Sequence, residues 1–315
     1  TITSSDTGEV SVTSALTFTS ANWNTPQTVT VTGADDNIID GTITSTINVA
    51  INDANSNDSF DGVVDQTVSV TTTDNDVAGF TITQSGGSTS VDESGTTDTF
   101  TVVLNAQPNE EGVTFTVASS DTGEATIAPA SLTFTAANWN TPQTVTVTGV
   151  DDNIIDGTQT STTTLSIIDA ITDDAFDGVV DQTVSVATTD DDVAGFTITE
   201  SGGSTSVDES GTTDTFTVVL DAEPTSNVVL TISSSDSGEA TATSLITFTT
   251  GNWNTAQTVT VTGVDDNIID GTITSTLTIS VVGAVSDDDF DSVNDQTVSV
   301  TTTDDDVAGF TITES

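Results

Sequence analysis

The sequence predicts an all-β chain of tandem seven-stranded antiparallel sandwiches in a linear array, and three observations support this prediction. Hydrophobic residues make up 33% of the 315 residues, and they alternate with Thr and Ser over short runs, as half-buried strands require. Turn-forming residues separate the runs, and no segment has the periodicity of a long helix. The chain also repeats itself at the length of a small β domain.

Two markers define the repeat. Trp23, Trp139 and Trp253 are 116 and 114 residues apart, and the run Val-Ala-Gly-Phe-Thr-Ile-Thr starts three times with the same separations. A period of about 115 residues is too long for one coil of a solenoid and suits a string of small domains. We therefore predict a partial repeat over 1–76 that lacks its first strands, complete repeats over 77–192 and 193–306, and the first strand of a further repeat over 307–315.

Each complete repeat contains seven strand-like runs. In the middle repeat, Phe80 and Ile82 mark one face of the first run, and Leu132 and Phe134 mark one face of the fourth. Seven such runs with turns between them match a two-sheet sandwich. The runs cover residues 79–83, 99–104, 113–117, 130–135, 143–148, 160–168 and 182–188.

The charge of the chain excludes several classes of partner. There are 49 acidic residues and no Lys, Arg or His, which gives a formal net charge of −49. Nucleic acids and anionic membrane surfaces are excluded, because both are bound mainly through Lys and Arg. No apolar run approaches the roughly 20 residues of a membrane-spanning helix. No signal peptide is visible either, so we expect the array to belong to a longer chain.

The same composition excludes covalent cross-links between side chains. The chain has no Cys, so it forms no disulfides, and no Lys, so it forms no Lys–Asn isopeptide bonds. A bound metal ion is the remaining way to cross-link the loops.

One acidic motif points to such a metal. The run Asp-Asp-Asn-Ile-Ile-Asp-Gly, called the acidic loop below, begins at Asp35, Asp151 and Asp265. Three carboxylates within six residues repel one another, and no basic side chain is present to neutralise them. Ca²⁺ accepts six to eight irregularly placed oxygen ligands, whereas Mg²⁺ demands a tighter octahedron, so we predict Ca²⁺. The motif is not an EF-hand, because Ile155 stands at its fifth position.

The order of the strands gathers the acidic residues at one end of each sandwich. If the strands run up and down, the loops after predicted strands one, three and five, and the end of strand seven, share one pole. A single metal cluster is expected there. In the middle repeat that pole carries Asp92, Glu93, Asp121, Glu124, Asp151, Asp152, Asp156, Asp190, Asp191 and Asp192.

The opposite pole is also acidic. In the middle repeat it carries Asp169, Asp173, Asp174, Asp177 and Asp181. In a head-to-tail string, this pole of one repeat faces the predicted cluster of the repeat before it. Asp287, Asp288, Asp289 and Asp291 would then face, or join, the site that ends at Asp190–Asp192.

Three short segments resemble a known family. They are Ser-Val-Asp-Glu-Ser around Glu93, the turn from the fifth strand into Asp151 and Asp152, and Thr-Thr-Asp-Asp-Asp ending at Asp192. Together they resemble the Calx-β domain, a seven-stranded immunoglobulin-like sandwich whose members often bind several Ca²⁺ at the C-terminal pole. The run Asn-Trp-Asn-Thr-Pro-Gln and the run Ser-Gly-Gly-Ser-Thr are similar to Calx-β-like repeats of large bacterial surface proteins. The family's Gly-x-Asp-Tyr is missing, and Asp156 stands where Glu is common.

The resemblance implies a set of metal ligands. In the middle repeat these are Glu93, Asp121, Asp151, Asp152, Asp190, Asp191 and Asp192. Their counterparts in the next repeat are Glu209, Asp236, Asp265, Asp266, Asp304, Asp305 and Asp306. We add the third acid of the acidic loop, which is Asp156 or Asp270. The partial repeat supplies Asp6, Asp35, Asp36, Asp40, Asp74 and Asp76.

These patterns predict a structural function. We expect an extracellular stalk or surface filament of a bacterial adhesin-type protein, stiffened by several Ca²⁺ per repeat, mainly at the junctions between repeats. Its partners would be neighbouring repeats of the same chain and other copies in a filament. An enzyme is not expected, because no His, Lys, Arg or Tyr accompanies the paired carboxylates.

Two other interpretations stay open. The repeats could themselves be adhesive modules that bind glycan, ice or another cell, or their acidity could be a solvated surface without metal. A Trp in each repeat, such as Trp139, would serve an adhesive module by stacking on sugar. A single Trp just before the fifth strand is, however, more often a residue that fills the core, and this is the interpretation we favour.

Overall fold

The structure is a computed structural model that describes residues 1–109 and 111–313. Its regular elements are β-strands and three-residue 3-10 turns. None of the described helices is long and apolar enough to cross a membrane. The all-β fold class predicted from the sequence is therefore confirmed.

The partial repeat contains five short strands: β1 (Ile2–Ser4), β2 (Val10–Val12), β3 (Val31–Gly33), β4 (Ile43–Val49) and β5 (Gln66–Thr72). Strands β1, β4 and β5 form one antiparallel sheet, and β2 pairs with β3. Ile2, Val10 and Ile47 form its small buried core.

The middle repeat forms two sheets. Its strands are β6 (Phe80–Gln84), β7 (Thr89–Asp92), β8 (Thr97–Leu104), β9 (Val113–Ser119), β10 (Ala125–Ala128), β11 (Ser131–Phe134), β12 (Gln143–Gly149), β13 (Gln159–Ile167) and β14 (Gln182–Thr189). One sheet has the order β10-β12-β8-β6, and the other has the order β11-β9-β13-β14-β7.

The third repeat has the same plan. Its strands are β15 (Phe196–Glu200), β16 (Thr205–Asp208), β17 (Thr213–Leu220), β18 (Val228–Ser234), β19 (Ala240–Ala242), β20 (Leu245–Phe248), β21 (Gln257–Gly263), β22 (Ile273–Val281) and β23 (Gln296–Thr303). The sheet orders are β15-β17-β21-β19 and β16-β23-β22-β18-β20.

Each complete repeat has nine strands rather than the seven predicted. The first predicted run is followed by a short strand that belongs to the other sheet. Gly202 and Gly203, at φ +67° and +83°, turn the chain between β15 and β16. Strand β16 then runs parallel to β23, so the sandwich is not wholly antiparallel. The other added strand, β19, pairs with β21 before the predicted fourth strand begins.

Alternating apolar side chains build one core per complete repeat. Phe216 faces Val259 across β17 and β21, and both are buried. Trp139 and Trp253 pack against the cores of their own repeats, as the core interpretation of this residue predicts. In the 1–76 segment, Trp23 is 71% exposed.

The described residues 307–313 are not in a strand, and the further repeat predicted to begin over 307–315 stays a prediction. The corresponding strands β6 and β15 are each paired with the second long strand of their own repeat, β8 and β17. Residues 307–313 have no such partner in the described chain, so their backbone groups have no ladder to join. Residues 314 and 315 lie outside the described part.

The chain divides into two compact units. The first contains residues 1–91, 97–148 and 161–186, and the second contains 92–96, 149–160 and the chain from 187 onward. The loops 92–96, 149–160 and 187–192 therefore group with the repeat that follows them. The repeat boundaries at residues 76 and 192 stay a prediction.

Candidate metal centre

The acidic pole of the third repeat is built from four separate segments. They are the turn after β16, the turn before β19, the acidic loop after β21 and the chain after β23. One carboxylate oxygen from each of Glu209, Glu239 and Asp270 lies within 4.8 Å of the other two. A second group, Glu209, Asp266 and Asp306, meets the same distance. Glu209 belongs to both groups and lies at the centre of the cluster.

A glycine allows the turn after β16 to close over the end of β21. A Cβ atom at Gly263 would overlap the backbone carbonyl of Asp208. The Glu209 amide donates to the carbonyl of Thr303 at 3.0 Å, which ties this turn to the end of β23. Gly149 and Asp92 have the same relationship in the middle repeat. The Thr-Gly that ends the fifth predicted strand thus holds the cluster glutamate in place.

Several oxygens of the cluster are buried without a hydrogen bond. Only 1% of the surface of Glu209 is exposed. Both of its carboxylate oxygens lack a hydrogen-bond partner in the described structure, as do Oε2 of Glu239 and Oδ2 of Asp306. Burying a carboxylate without a partner is strongly unfavourable. This arrangement needs either protons or a cation.

The pKa values of the two glutamates in the cluster are raised, as expected for buried carboxylates without partners. Burial raises the pKa of Glu209 to about 7, and the charges of Asp304, Glu239, Asp266 and Asp270 add to the shift. Burial also raises the pKa of Glu239, helped by Asp270 and Asp236. Both shifts oppose loss of the proton, and a bound cation would supply the positive charge that the buried carboxylates lack.

The middle repeat has a smaller version of the cluster. Oxygens of Glu93, Asp191 and Asp192 lie within 4.8 Å of one another. Oδ2 of Asp192 is buried with no hydrogen-bond partner in the described chain. Burial raises the pKa of Asp192, and the charges of Asp190, Asp191, Asp151 and Asp152 raise it further. Burial likewise raises the pKa of Asp156, with added repulsion from Asp152 and Asp190.

The partial repeat gathers its acids more loosely. Burial raises the pKa of Asp76, with contributions from Asp74, Asp35, Asp36 and Asp40. Burial also raises the pKa of Glu9, next to Asp40, Asp36 and Asp6. Within residues 1–76, all of which the structure describes, no three carboxylates meet the 4.8 Å distance found in the other repeats.

The first aspartate after the last strand, Asp190, is a predicted metal ligand that also accepts backbone hydrogen bonds. Oδ2 of Asp190 accepts hydrogen bonds from the amides of Asp156 and Gly157, at 3.0 and 2.8 Å. Its Oδ1 accepts from the amide of Asp192 at 2.7 Å. Asp190 thus fastens the acidic loop to the end of β14. Asp74 and Asp304 form equivalent bonds, and backbone donors lower the pKa of both.

A second set of predicted ligands caps turns. Oδ1 of Asp236 accepts from the amide of Gly238 at 3.0 Å, and Asp6 and Asp121 bond in the same way to Gly8 and Gly123. In the acidic loops, Oδ1 of Asp152 accepts from Ile154 at 2.7 Å. Asp36 and Asp266 make the corresponding bonds. The predicted ligands that belong to none of the three close groups are Asp6, Asp35, Asp36, Asp40, Asp74, Asp76, Asp121, Asp151, Asp152, Asp156, Asp190, Asp236, Asp265, Asp304 and Asp305.

One residue of the cluster was absent from the predicted ligand set. The sequence places Glu124 at the acidic pole, but its counterpart Glu239 was given no ligand role. The structure buries Glu239 directly before β19, beside Glu209. The sequence does contain a signal for this residue. In both complete repeats a glutamate directly precedes a short run, Ala-Thr-Ala or Ala-Thr-Ile. That run forms β19 or β10, a strand that the seven-strand prediction omits.

At the opposite pole of the third repeat, Asp289 lies close enough to Asp190 for their charges to interact, and the head-to-tail joining of this pole to the metal cluster stays a prediction. Burial raises the pKa of Asp289, and the charges of Asp287, Asp288 and Asp190 add to it. Asp287 itself serves the fold, because its Oδ2 accepts from the Ser226 amide at 2.6 Å and from the Thr225 hydroxyl at 2.8 Å.

Comparison with known proteins gives matches among solved structures alone. No family model matches, and no curated protein matches. Surface layer protein SbsC, domains 4–9, is 20% identical with a TM-score of 0.28, and the match covers 88% of this chain and 36% of that chain. CBD12 from CALX1.2 is 13% identical with a TM-score of 0.27, covering 63% and 79%. The apo-form Calx CBD1 domain is 16% identical with a TM-score of 0.27, covering 36% and 98%. These resemblances are weak and concern the fold.

The residues present fit a hard divalent cation. The donors are carboxylate oxygens, several are buried without another partner, and the chain has no Lys, Arg or His to neutralise them. Oxygen donors in this number and charge are those that Ca²⁺ takes.

Proposed function

We propose that this chain is a structural array of β-sandwich repeats, stabilised by Ca²⁺, that forms the stalk or filament of a protein on the outside of a cell. The observation that carries the proposal is Glu209, which is buried with two unpaired oxygens among Glu239, Asp266, Asp270 and Asp306. Two like charges about 4 Å apart cost about 1 kcal/mol even in water, and more where burial lowers the dielectric constant. A divalent cation removes this repulsion.

The proposed ligands divide into two sites. In the third repeat they are Glu209, Glu239, Asp270, Asp266 and Asp306. In the middle repeat they are Glu93, Asp191 and Asp192. When bound, the cation supplies positive charge to loops that are otherwise held apart by their own carboxylates. Ca²⁺ at the roughly millimolar level found outside cells suits modules of this affinity class, which favours an extracellular location.

A structural role is favoured over catalysis by the chemistry of the cluster. Its carboxylates lie beneath turns, and the chain contains no His, Cys, Lys, Arg or Tyr that could act as a nucleophile or as a second acid–base group. A carboxylate cluster around the equivalent glutamate, Glu93 or Glu209, occurs in both complete repeats. Repetition of a stabilising site is expected in a stalk.

The test is thermal unfolding of the full chain in EGTA and in rising Ca²⁺. A cation that binds the folded state raises the melting temperature by mass action, by about 2.7 kcal/mol of stability at 100 times Kd. Glu209→Gln should reduce this gain, whereas Asp295→Asn should leave it unchanged because Asp295 is exposed on the same repeat, away from the cluster. Melting that does not respond to Ca²⁺ in the parent chain would overturn the proposal.

A further inference from the structure

We propose that the Asn-Ile-Ile segment at the centre of the acidic loop is a docking element that binds the turn after the second long strand of the following repeat. It joins successive repeats through backbone hydrogen bonding and one isoleucine side chain. The inference rests on the repeat array of the proposed function, but the contacts between the loop and the following repeat include no carboxylate ligand and no cation.

The backbone contact occurs at both places where a following repeat is present. The carbonyl of Asn153 accepts from the amide of Glu223 at 2.6 Å, and Ile154 forms a parallel bridge with Glu223. The carbonyl of Asn37 accepts from the amide of Gln107 at 2.7 Å, with the same bridge from residue 38. Each pair lies within one compact unit. The turn that donates this hydrogen bond carries Gln in one copy and Glu in the other, so its backbone N–H is what the loop recognises.

The side-chain contact is also repeated. Ile39 packs against the hydrophobic core of the 77–192 repeat, and Ile155 packs against the core of the 193–306 repeat. The third copy, Ile269, has the same neighbours in sequence but is 57% exposed. Identical loops thus have a partly buried isoleucine where a following repeat is described and an exposed one where none is described.

The third copy of the loop has the same internal conformation as the two copies that contact a following repeat. In the undocked copy, Oδ1 of Asp266 accepts from the Ile268 amide at 2.6 Å, and Oδ2 of Asp304 accepts from the Gly271 amide at 2.9 Å. The docked copy has the same two bonds. Gly271 keeps a left-handed φ of +78°, close to the value in the docked loops. Because the loop needs no rearrangement, docking loses little conformational entropy. The partner that fits the exposed Ile268–Ile269 surface is another repeat of this kind.

The test uses the absence of cysteine from the chain. Spin labels on Ala137→Cys and Gly251→Cys, which are exposed and equivalent positions of the two complete repeats, report the distribution of distances between those repeats. Ile155→Ser should broaden this distribution by about twofold or more, since repeats without a docked interface move independently. Ile269→Ser is the matched control, with the same sequence around an undocked side chain, and should leave the width unchanged.

A second pair of variants tests the backbone bond and guards against misfolding of the loop. Glu223→Pro removes the recognised N–H and should also broaden the distribution, whereas Glu223→Gln, which reproduces the residue at position 107, should not. The widths are compared in EGTA and in Ca²⁺. If Ile155→Ser and Glu223→Pro both keep the parent width, docking by this segment is overturned. If they broaden it while Ca²⁺ has no effect on parent melting, docking stands and the Ca²⁺ function fails.

Discussion

The backbone carbonyl of Asp208 occupies the space that a side chain on Gly263 would need. Asp208 precedes Glu209, so this contact sets the position of the glutamate at the centre of the candidate metal centre. Gly263, the last residue of β21, therefore helps to position a carboxylate of the candidate metal centre.

Gly263→Ala should therefore lower the free energy of unfolding by about 1–3 kcal/mol, the usual effect of forcing atoms into filled space. It should also weaken Ca²⁺ binding, because Glu209 must shift. Gly33→Ala is the matched control, since a Cβ at Gly33 would meet only the Thr72 methyl at 3.8 Å. Urea denaturation and calorimetric Ca²⁺ titration measure both effects. Equal stability of the two variants would contradict the packing argument.

The two acidic residues of the turn before β19 should respond differently to neutralisation. Glu239 is buried beside Glu209, whereas Asp236 is exposed and uses Oδ1 to accept from Gly238. Glu239→Gln should weaken Ca²⁺ binding at the third repeat by about tenfold or more, equivalent to about 1.4 kcal/mol.

Asp236→Asn serves as the control for this prediction. It keeps an oxygen for the turn and removes only a more distant charge, so its effect on affinity should be much smaller. Calorimetric titration of the full chain measures both variants. A larger loss of affinity for Asp236→Asn would mean that the sequence-based ligand assignment, and not the geometry of the cluster, is correct.

Much of the fold could be predicted because strand periodicity is a local signal. The predicted runs match β6, β8, β9, β11, β12, β13 and β14 to within two residues. The missed strands β7 and β10 have four residues each, too few for alternation to stand out. The first of them also depends on a glycine turn that moves the chain to the other sheet. Strands β7 and β10 form by pairing with the edge of a neighbouring strand. Their own sequences are too short to predict this pairing.

The site was predictable as a region but not as a set of atoms. The alternating direction of the predicted strands placed the acidic loops at one pole of the sandwich. The adjacent residues Asp190, Asp191 and Asp192 look alike in sequence, yet the first fastens a loop while the other two lie near Glu93. That division depends on amides 33 and 34 residues away in the chain, which a sequence pattern does not specify. Glu239 was missed for a related reason, since its direction is set by an unpredicted strand.

Stability without metal should decrease as the pH rises. The pKa of Glu209 is raised from 4.5 to about 7 in the folded chain. The folded state therefore binds this proton more tightly than the unfolded state. The resulting stabilisation is complete below pH 4.5 and is lost as the pH rises through about 7.

In EGTA, the melting temperature should accordingly be higher at pH 5 than at pH 8, and the gain on adding Ca²⁺ should be larger at pH 8. Glu209→Gln should reduce both differences, because the variant carries no titrating group at this position. Asp295→Asn, which removes one exposed charge from the same repeat, controls for the general effect of acidity. Parallel pH profiles for all three proteins would show that Glu209 does not titrate as described.

The aspartates that fasten the acidic loops should stabilise the fold independently of metal. Oδ2 of Asp304 accepts from the Gly271 amide at 2.9 Å, and Oδ1 accepts from the Asp306 amide at 2.7 Å. Asp304→Asn replaces one acceptor oxygen with an NH₂ group that faces a backbone N–H. It should lower the free energy of unfolding by about 1–3 kcal/mol in EGTA, the usual range for leaving a polar group unsatisfied. Asp305→Asn removes the same charge from an exposed neighbour and should have little effect. Urea denaturation at pH 7 compares the two, and equal unfolding midpoints would show that residue 304 contributes charge alone, with no role in holding the loop.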